Sequence, residues 1–352
     1  MATNNRIFFA IQALGFAPDG VVSPVSGVSA PSGFITAHGV QSVGITTTFN
    51  LEQVFELGQL ELYENIEGIP DIEVTAQKVL DGYPLLYHLA TPSGAAASLV
   101  GRSNEQAFVA LNIYQDTQES ATGVPLQQLG MSGMFVSALT YTLSVDGNST
   151  EDITLVGNNK EWKASGTDFV PVGLDGTDVP LSLAASGGVQ RREDVLMGSG
   201  ARGVVSYWPT DIPGIAGSGF NIEAGNAFPA HLQTVTISTD LGREGLLELG
   251  RRGPYFRFVT FPIEVTTAID VTSSEGDLVD ALADPPGGSN LTAQIIDVVM
   301  REGARLNLGA NNKLASIAYG GGDTGGGNVV TTFNYSNFNS LSVTHPQDPA
   351  GL

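Results

Sequence analysis

The stretch "QSVGITTTFNLEQVFELG", residues 41–58, recurs 192 positions later as "QTVTISTDLGREGLLELG", residues 233–250. Eight positions are identical without a gap, and self-similarity of this kind indicates an internal repeat. The identical pairs are Gln41/Gln233, Val43/Val235, Ile45/Ile237, Thr47/Thr239, Glu52/Glu244, Glu56/Glu248, Leu57/Leu249 and Gly58/Gly250. The chain is therefore predicted to contain two copies of one structural unit.

The similarity continues past the opening phrase. Pro70 matches Pro262, and "IEVT" at residues 72–75 matches "IEVT" at residues 263–266 if one residue is deleted between them. From Val40 onward, apolar and polar residues alternate as they do in half-buried strands. The chain also has 44 glycines and 18 prolines but only 15 lysines and arginines, which favours short strands and turns over long helices. We predict an all-β fold with short helices, built from two tandem units.

The repeat divides the 352 residues into five predicted segments. The first and last are tails, and a Gly-rich passage lies between the copies. The segments are an extended N-terminal arm (1–37), a first β-repeat (38–165), a connecting segment (166–228), a second β-repeat (229–345) and a C-terminal tail (346–352).

Residue types also predict the local structure of several segments. "NLEQVFELG", residues 50–58, is predicted to form a compact loop or a single helical turn, and residues 94–102 a short helix. Residues 290–303 have helical spacing, but their β-branched run and their place in the repeat favour a strand. "VDGNSTED" (145–152) and "GGGDTGGG" (320–327) are predicted hairpin turns.

The charge of the chain limits its partners. With 36 acids and 15 bases the net charge is −21, so tight binding to nucleic acid is disfavoured by repulsion. The absence of cysteine leaves no disulfide framework. No apolar stretch approaches the roughly 18 residues of a membrane span. We therefore expect a soluble protein that makes no membrane contact and is assembled in the cytoplasm.

Catalytic and ligand-binding motifs do not emerge from the sequence. The four histidines, His38, His88, His231 and His345, lack a companion at metal-ligand spacing. Neither a phosphate-binding Gly-x-x-x-x-Gly-Lys nor a Gly-x-Ser-x-Gly nucleophile motif occurs. The prediction is a protein that is not an enzyme and uses no cofactor and no metal.

The two copies differ in charge at one corresponding position in the repeat. The acids of the first copy there include Glu61, Glu64 and Glu67, whereas the second copy has Arg251, Arg252 and Arg257. Independent drift of exposed positions would produce such a contrast. Alternatively, unlike copies lie side by side in an assembly, with these residues forming charge pairs between copies.

Two long stretches carry a family resemblance. "VGITTTFNLEQVFELGQLELYENIEGIPDIEVT" (43–75), continued by "KVLDGYPLLYHLAT" (78–91), and "LGANNKLASIAYGGGDTGGGNVVTTFNY" (308–335) resemble tail tube (major tail) proteins of tailed bacteriophages. The resemblance implies a β-sandwich or half-barrel with a flanking helix. It also implies rings closed by an inner β-barrel, stacked into the tube through which DNA leaves the capsid.

The resemblance also implies partners and a location in the virion tail. The chain would bind itself, tail sheath proteins, and baseplate or terminator proteins, while DNA passes through without tight binding. If both copies line the channel, three chains form a pseudo-sixfold ring, which we favour; if one does, six chains are needed. Apolar loop residues would seal ring upon ring, and the candidates are Phe49, Leu51, Val54, Phe55, Leu57, Leu246, Leu247 and Leu249.

Two other functions stay open at this point. A baseplate or tube-initiator component would share the fold but would not polymerise alone into a tube. A secreted glycan-binding β-sandwich protein would place exposed aromatic residues around a groove, although Trp162 and Trp208 are the only tryptophans.

Overall fold

The computed structural model describes most of both predicted repeats. The described residues are 7, 12–18, 35–115, 125–164, 188–197, 206–213, 215, 230–250, 253–273, 277, 279, 291–321 and 327–348. Within them, the regular structure is almost entirely antiparallel strand, which confirms the all-β prediction.

In chain order, the strands and the α-helix are β1 (Gln12–Pro18), β2 (Ile35–Thr36), β3 (Val40–Thr48), β4 (Leu51–Phe55), β5 (Leu62–Glu67), β6 (Asp71–Val79), α1 (Leu86–Ala90), β7 (Ala107–Ile113), β8 (Gln127–Ser144), β9 (Thr150–Gly157), β10 (Glu161–Ala164), β11 (Ala230–Asp240), β12 (Arg243–Leu246), β13 (Phe256–Val259), β14 (Glu264–Ser273), β15 (Asp297–Val299), β16 (Arg305–Asn307), β17 (Lys313–Gly320), β18 (Val330–Phe338) and β19 (Ser342–Thr344).

One continuous sheet of eight antiparallel strands forms the centre of the molecule. Its order is β3-β6-β9-β8-β11-β14-β18-β17. We call β3, β6, β9 and β8 the first half-sheet, and β11, β14, β18 and β17 the second half-sheet. Each half-sheet comes from one predicted repeat, and they join where β8 pairs with β11.

The two half-sheets share their strand order and their irregularities. β3 and β11 each have a register shift at the same place, Val40/Ser42 and Leu232/Thr234. β8 and β17 also have matching shifts, Val136/Ala138 and Leu314/Ser316. Because bulges are local features that alter twist and pairing, their coincidence supports the interpretation of a duplicated unit.

The strand registers correct one detail of the sequence alignment. The cross-strand row Ile45, Val74, Leu155, Val136 corresponds to the row Ile237, Thr267, Tyr335, Leu314. β6 is therefore offset from β14 by 193 positions, so "IEVT" at 72–75 does not superpose on "IEVT" at 263–266. The offset differs from the predicted one by two residues, which preserves the alternation of faces and thus escapes a pattern-based alignment.

A second layer covers one face of the central sheet. β8 has 18 residues, and its N-terminal part pairs with β7 and β10, while its C-terminal part joins the central sheet. Gly133, with φ 65°, lies between the two parts. β1 pairs along the whole of β7, and the sheet β15-β16-β19 shares the hydrophobic core with the second half-sheet. The buried residues of both layers form one main hydrophobic core.

Three local predictions need correction or extension. Residues 51–55 form β4, which pairs with β5 in a hairpin rather than a loop or helical turn. Residues 94–102 are irregular chain and turns rather than a helix, because Ala97 and Leu99 bond through their backbones to the chain around β19. Residues 12–18 of the predicted arm form the buried strand β1. The helix is instead α1, whose first amides donate to the carboxylate of a buried glutamate on β9, described below.

Other local predictions are confirmed where the structure describes them. Residues 297–299 of the segment 290–303 form strand β15, while residue 290 lies outside the described residues. Residues 145–149 of the predicted turn 145–152 connect the antiparallel pair β8 and β9, while residues 150–152 already belong to β9. Residues 322–326 also lie outside the described residues, and the flanking strands β17 and β18 pair antiparallel.

Candidate functional site: the open sheet face, its edges and two hairpins

The central sheet has one face covered by the core and one face open, and we call the latter the open face. Short polar side chains dominate the open face because alternate residues of each strand point there. Those with hydroxyl or amide groups include Thr46, Thr48, Thr75, Gln77, Thr140, Thr142, Thr154, Thr234, Thr236, Ser238, Thr266, Thr332, Asn334 and Ser336. Such a surface is hydrated and offers little to bind an apolar partner.

The charge on the open face is strongly negative. Within the described part of the eight strands, its acids are Asp71, Glu73, Asp152, Asp240, Glu264 and Asp270, and its basic residue is Lys313 at the end of β17. No lysine or arginine cluster that would contact phosphates lies on this face of the described strands.

Carboxylates recur at corresponding places in the two half-sheets. Gln77 Nε2 donates to Asp152 Oδ1 at 2.9 Å, and at the equivalent pair Thr332 Oγ1 donates to Asp270 Oδ1 at 2.6 Å. The carboxylate has moved from β9 to β14, yet each half-sheet keeps one at this level. A second level holds Asp71 in β6 and its equivalent in β14, Glu264. Each half-sheet therefore keeps a carboxylate at the same height along its strands, even where the strand that carries it differs.

The outer strands of the sheet end in open edges. Among the described strands, β3 pairs only with β6, and β17 pairs only with β18. The core-side residues Val43 and Ile45 of β3 are half-buried, whereas their equivalents Val235 and Ile237 in β11 are buried. An edge strand of this length with unpaired backbone groups is a template for pairing with another chain.

A comparison of two tyrosines shows what the β17 edge lacks. Tyr141 in β8 and Tyr319 in β17 occupy equivalent positions, and both point to the core side of the sheet. Tyr141 is 1% exposed because β11 covers it, with Ile237 directly opposite. Tyr319 is 66% exposed. A large side chain of this kind gains most of its stabilisation from burial, so the β17 edge resembles an interface without its partner.

Each half-sheet also carries a hairpin at one end: β4–β5 in the first and β12–β13 in the second. The β12–β13 hairpin packs on the first half-sheet. The ring of Phe256 lies edge-on to Phe135 of β8 with centroids 5.0 Å apart. The Arg243 guanidinium lies 5.0 Å from the centroid of the Phe135 ring, and its Nε donates to the Val136 carbonyl at 2.7 Å.

Most predicted ring-stacking residues lie on the two hairpins or their flanks. Gly58 and Gly250, both with positive φ (89° and 86°), form equivalent turns at the hairpin tips. The apolar side chains around these turns are exposed, except that Val54 is half-buried. The exposed ones are Phe49, Leu51, Phe55, Leu57, Leu246, Leu247 and Leu249. The structure thus brings the first-copy candidates together on one hairpin and the second-copy candidates on the other.

The predicted charge-pairing residues are placed as follows. Glu61, Glu64 and Glu67 are exposed on or beside β5. Arg251 and Arg252 lie outside the described residues. Arg257 Nη2 lies 2.6 Å from Asp71 Oδ1, and its Nε donates to Asn158 Oδ1 at 3.1 Å. Arg257 therefore contacts an acid of the first copy, but not one of the three glutamates that the sequence suggested.

Several hydrogen-bond donors stabilise the ionised form of the Asp71 carboxylate. Burial raises the pKa of Asp71, but hydrogen bonds from Asn50, Arg257 and Asn158 and the positive charge of Arg257 outweigh it, so the net pKa is lowered. The lowered pKa means that this carboxylate stays ionised to a lower pH than an ordinary aspartate.

A buried polar cluster lies under the first half-sheet. Lys78 Nζ lies 2.5 Å from Asp81 Oδ1 and 2.8 Å from the His38 carbonyl. Burial lowers the pKa of Lys78 and raises that of Asp81, while their mutual attraction opposes both shifts. Nearby, Glu151 accepts hydrogen bonds from the Leu86 amide at 2.6 Å and from the Tyr87 amide.

The cluster is structural in its geometry. Glu151 caps the start of α1 and also accepts from Tyr141 Oη at 2.9 Å, while burial raises its pKa. It fixes the helix to the sheet without opening to solvent. In the described residues, no group of three or more potential metal ligands lies close enough to hold an ion.

Three histidines complete this buried region. His88 Nε2 lies 3.0 Å from the Val343 carbonyl, and His345 Nε2 lies 3.3 Å from the Asp81 carbonyl. Burial lowers the pKa of His38, His88 and His345 to about 4. His88 and His345 connect α1 and the chain after β6 to the end of the described chain, where Asp348 of the predicted tail contacts Arg102.

Sequence reasoning did not single out Lys313, Tyr319 or Phe338. Tyr319 continues the apolar alternation of β17, which marks it as core-facing. The pattern carries no information on whether a strand is central or at an edge. Phe338 is exposed at the end of β18.

Within the described residues, no helix is both long and apolar enough to cross a membrane.

No protein-family profile matches the chain, and no curated protein sequence matches it significantly. Solved structures of contractile injection systems are similar to part of it. A chain of the anti-feeding prophage baseplate has 12% identity and a TM-score of 0.32, covering 47% of this chain and 98% of that one. A chain of the anti-feeding prophage tube-terminating cap has 10% identity and a TM-score of 0.31, covering 47% and 95%. A chain of an extracellular contractile injection system sheath–tube complex in the extended state has 12% identity and a TM-score of 0.33, covering 46% and 95%.

Proposed function

We propose that the chain is a structural subunit of a phage-type tail tube, and that it acts without catalysis or cofactors. The observation that carries the proposal is the single central sheet: both repeats contribute four strands to it, and its two outer strands keep open edges. Pairing β17 of one protomer with β3 of the next satisfies both edges, and repeating this step closes a ring.

The geometry favours three chains in each ring. Both half-sheets belong to one continuous sheet, so both would line the channel, and three chains would form a pseudo-sixfold ring. Three sheets of eight strands, at ordinary strand spacing and tilt, give a barrel with a backbone diameter of roughly 45–50 Å. Such a channel is wide enough to pass double-stranded DNA.

The open face supplies the lining of this channel. Each half-sheet contributes one carboxylate at the level of Asp152 and Asp270, and one at the level of Asp71 and Glu264, so the ring would carry acids at two levels. DNA phosphates are repelled by such a surface, and within the described part of the eight strands the basic group that could hold them is Lys313 at one rim. DNA would therefore slide through without tight binding.

The two hairpins supply the contacts between rings. Their exposed apolar side chains, including Leu57 and Leu249, project beyond the sheet and would be buried when a second ring docks. Tail sheath, baseplate and terminator proteins are the further partners, and the assembled product is a virion tail built in the host cytoplasm. The segment boundaries at 37, 165, 228 and 345 remain our proposed division of the chain.

Negative-stain electron microscopy of the purified protein over a concentration series tests the proposal. We expect stacked rings whose class averages show threefold symmetry with six similar lobes. A sixfold ring in which one repeat lies away from the channel would end the three-chain arrangement. Single rings that never elongate would instead support a baseplate or initiator role, and a monomer at all concentrations would exclude a tube subunit.

The Leu57→Ser/Leu249→Ser variant separates ring formation from stacking. We expect it to form single rings but not tubes, because the lateral edges are unchanged. The Leu57→Met/Leu249→Met variant, which keeps the apolar surface, is the control and should still form tubes. Unimpaired stacking of the serine variant would show that other surfaces join the rings.

A further inference from the structure

We propose that the contact between protomers repeats, position by position, the contact that the two half-sheets make within one chain, and that Glu64 of one protomer consequently faces Lys313 of the next. The inference rests on the proposed function, because it takes a second copy of this chain as the partner. It adds the strand register and the charge pair that specify the joint.

The strand register follows from the β8–β11 junction. Within the chain, Tyr141 lies opposite Ile237. Tyr319 occupies the position of Tyr141, and Ile45 occupies the position of Ile237. If β17 of one protomer pairs with β3 of the next in the register of the β8–β11 pair, Tyr319 therefore lies opposite Ile45 of the neighbour. Both side chains are on the core side of their strands, so this register buries the exposed tyrosine and completes the cover of the half-buried isoleucine.

The contact between the β12–β13 hairpin and β8 has an equivalent between protomers as well. Phe256 of β13 packs edge-on against Phe135 of β8 inside the chain. Glu64 in β5 occupies the position of Phe256, since the pair 54/64 corresponds to the pair 246/256. Lys313 in β17 occupies the position of Phe135. An aromatic contact within the chain is thus replaced by an acid and a base between chains.

The neighbouring positions agree with this replacement. Arg257 contacts Asp71 and Asn158 within the chain. Asp71 and Asn158 correspond to Glu264 and Phe338, which pair across β14 and β18. Phe338 is 57% exposed, as expected for a residue that a neighbouring hairpin would cover.

The β4–β5 hairpin has an apolar side chain at the right place for this contact. Ile66, which corresponds to Phe258, is 43% exposed, and it lies on the same face of the hairpin as Glu64. In the hairpin of the second repeat, the ring of Phe258 packs at a tilt against that of Phe256, with centroids 4.8 Å apart. Ile66 and Phe338 together form the apolar surround in which a Glu64–Lys313 pair is sheltered from water.

The replacement of the Phe256–Phe135 contact by a Glu64–Lys313 pair also determines which edges of two protomers pair with each other. The β8–β11 contact lies within one chain, so no charge is needed to bring its two half-sheets together. Two protomers, in contrast, must find each other by diffusion. A complementary charge pair steers encounter and penalises pairings that leave Glu64 or Lys313 without an opposite charge.

Charge reversal tests the pair. Glu64→Lys and Lys313→Glu alone are each expected to raise the protein concentration needed for ring formation by about tenfold or more, because each places like charges together. The double variant Glu64→Lys/Lys313→Glu should restore assembly to near the wild-type concentration. Glu61→Lys is the matched control on the same hairpin: it corresponds to Gly253, where an added Cβ would meet no atom within 4 Å. It should assemble as the wild type does.

Disulfide trapping tests the register independently, since the chain has no cysteine of its own. Thr140 lies opposite Ser238 in the internal junction, so Ala318 should lie opposite Thr46 of the neighbour. Thr46→Cys/Ala318→Cys should form covalent rings on oxidation, whereas Thr46→Cys/Ser316→Cys, which is two residues out of register, should not.

The outcomes separate this inference from the proposed function. Rings that form normally in both single charge variants, or cross-links found only in the shifted cysteine pair, would overturn the proposed joint while leaving the tube subunit intact. A wild-type protein that forms no rings would overturn the proposed function itself. Rescue by the double charge variant together with in-register cross-linking would support both.

Discussion

Arg257 Nη2, in the hairpin of the second repeat, lies 2.6 Å from Asp71 Oδ1, at the start of β6 in the first repeat. The pair joins two segments that are 186 residues apart in sequence. One arginine of the second repeat thus contacts an acid of the first repeat inside the chain. The corresponding residues at the outer edges, Asn65 and Glu264, cannot form the same ion pair.

Arg257→Ala should loosen the junction between the half-sheets. The carboxylate of Asp71 is half exposed, so we expect a loss of only about 0.5–1 kcal/mol in the free energy of unfolding. Urea unfolding measures it in the Lys313→Glu background, at a protein concentration below the one that this variant needs for ring formation. Arg301→Ala, which removes an exposed ion pair with Asp194, is the control and should cost less. An equal cost at both sites would contradict a specific role for Arg257.

Lys78→Met should be far more damaging. It removes the cation that lies 2.5 Å from the buried Asp81, and an uncompensated buried carboxylate typically costs about 3–5 kcal/mol. The double variant Lys78→Met/Asp81→Leu should recover part of that loss, because it removes the carboxylate as well. Urea unfolding gives both values. A loss below about 1 kcal/mol for the single variant would show that Asp81 finds another partner or is protonated at little cost.

The fold class was predictable because it depends on local patterns. Alternation in strands such as β3 and β11 follows from period-two burial, and the duplicated phrase implies two equivalent units. The segment around β15 was also assigned correctly, since its β-branched residues outweigh its helical spacing. These signals need no knowledge of distant contacts.

The errors arose where distant contacts decide the structure. Residues 94–102 pair with the chain near β19, more than 200 positions away, so their small residues do not become a helix. The "IEVT" alignment failed because a shift by two residues leaves every side chain on the same face.

The candidate site was predictable only in part. The apolar loop residues stand out by composition, and the structure places them on two exposed hairpins. The importance of Tyr319 and Lys313 depends on β17 being an edge strand, which is a property of the whole sheet order.

Acidification should destabilise the fold between about pH 6.5 and pH 4. His38, His88 and His345 have pKa values lowered to about 4 by burial, so they remain neutral in the folded protein while they become protonated near pH 6.5 when unfolded. Their stabilising effect is present above pH 6.5 and is lost as the pH falls. Each contributes up to about 1.4 kcal/mol per pH unit. The raised pKa values of Asp81 and Glu151 act in the opposite direction at lower pH.

Free energies of unfolding at about pH 7.5 and about pH 5.5 test this dependence. The wild type should lose more stability over this interval than His88→Gln, whose replacement side chain does not titrate. His231, which is exposed, provides the control variant His231→Gln, expected to behave as the wild type. The same pH dependence in wild type and His88→Gln would indicate that His88 is already charged in the folded state.

Reversing charge on the open face should make the assembled protein retain DNA. Asp152→Lys/Asp270→Lys changes one acid in each half-sheet at the same level, so a ring would present a belt of positive charge to the phosphates. Co-sedimentation of labelled duplex with assembled particles should show retention that weakens steeply between about 50 mM and about 200 mM salt, whereas wild-type particles retain little. Asp152→Asn/Asp270→Asn removes the acids without adding bases and should give weak retention at most.

The location of the charge, rather than its amount, decides this experiment. Glu105→Lys/Glu161→Lys changes the net charge equally but lies outside the eight strands of the open face, just before β7 and in β10. If the open face lines the channel, DNA should be held inside the open-face variant and protected from a nuclease, because the enzyme cannot follow it into the tube. The outer variant should bind DNA in a nuclease-sensitive way. Equal nuclease sensitivity in both variants would mean that the open face lies on the outside of the assembly.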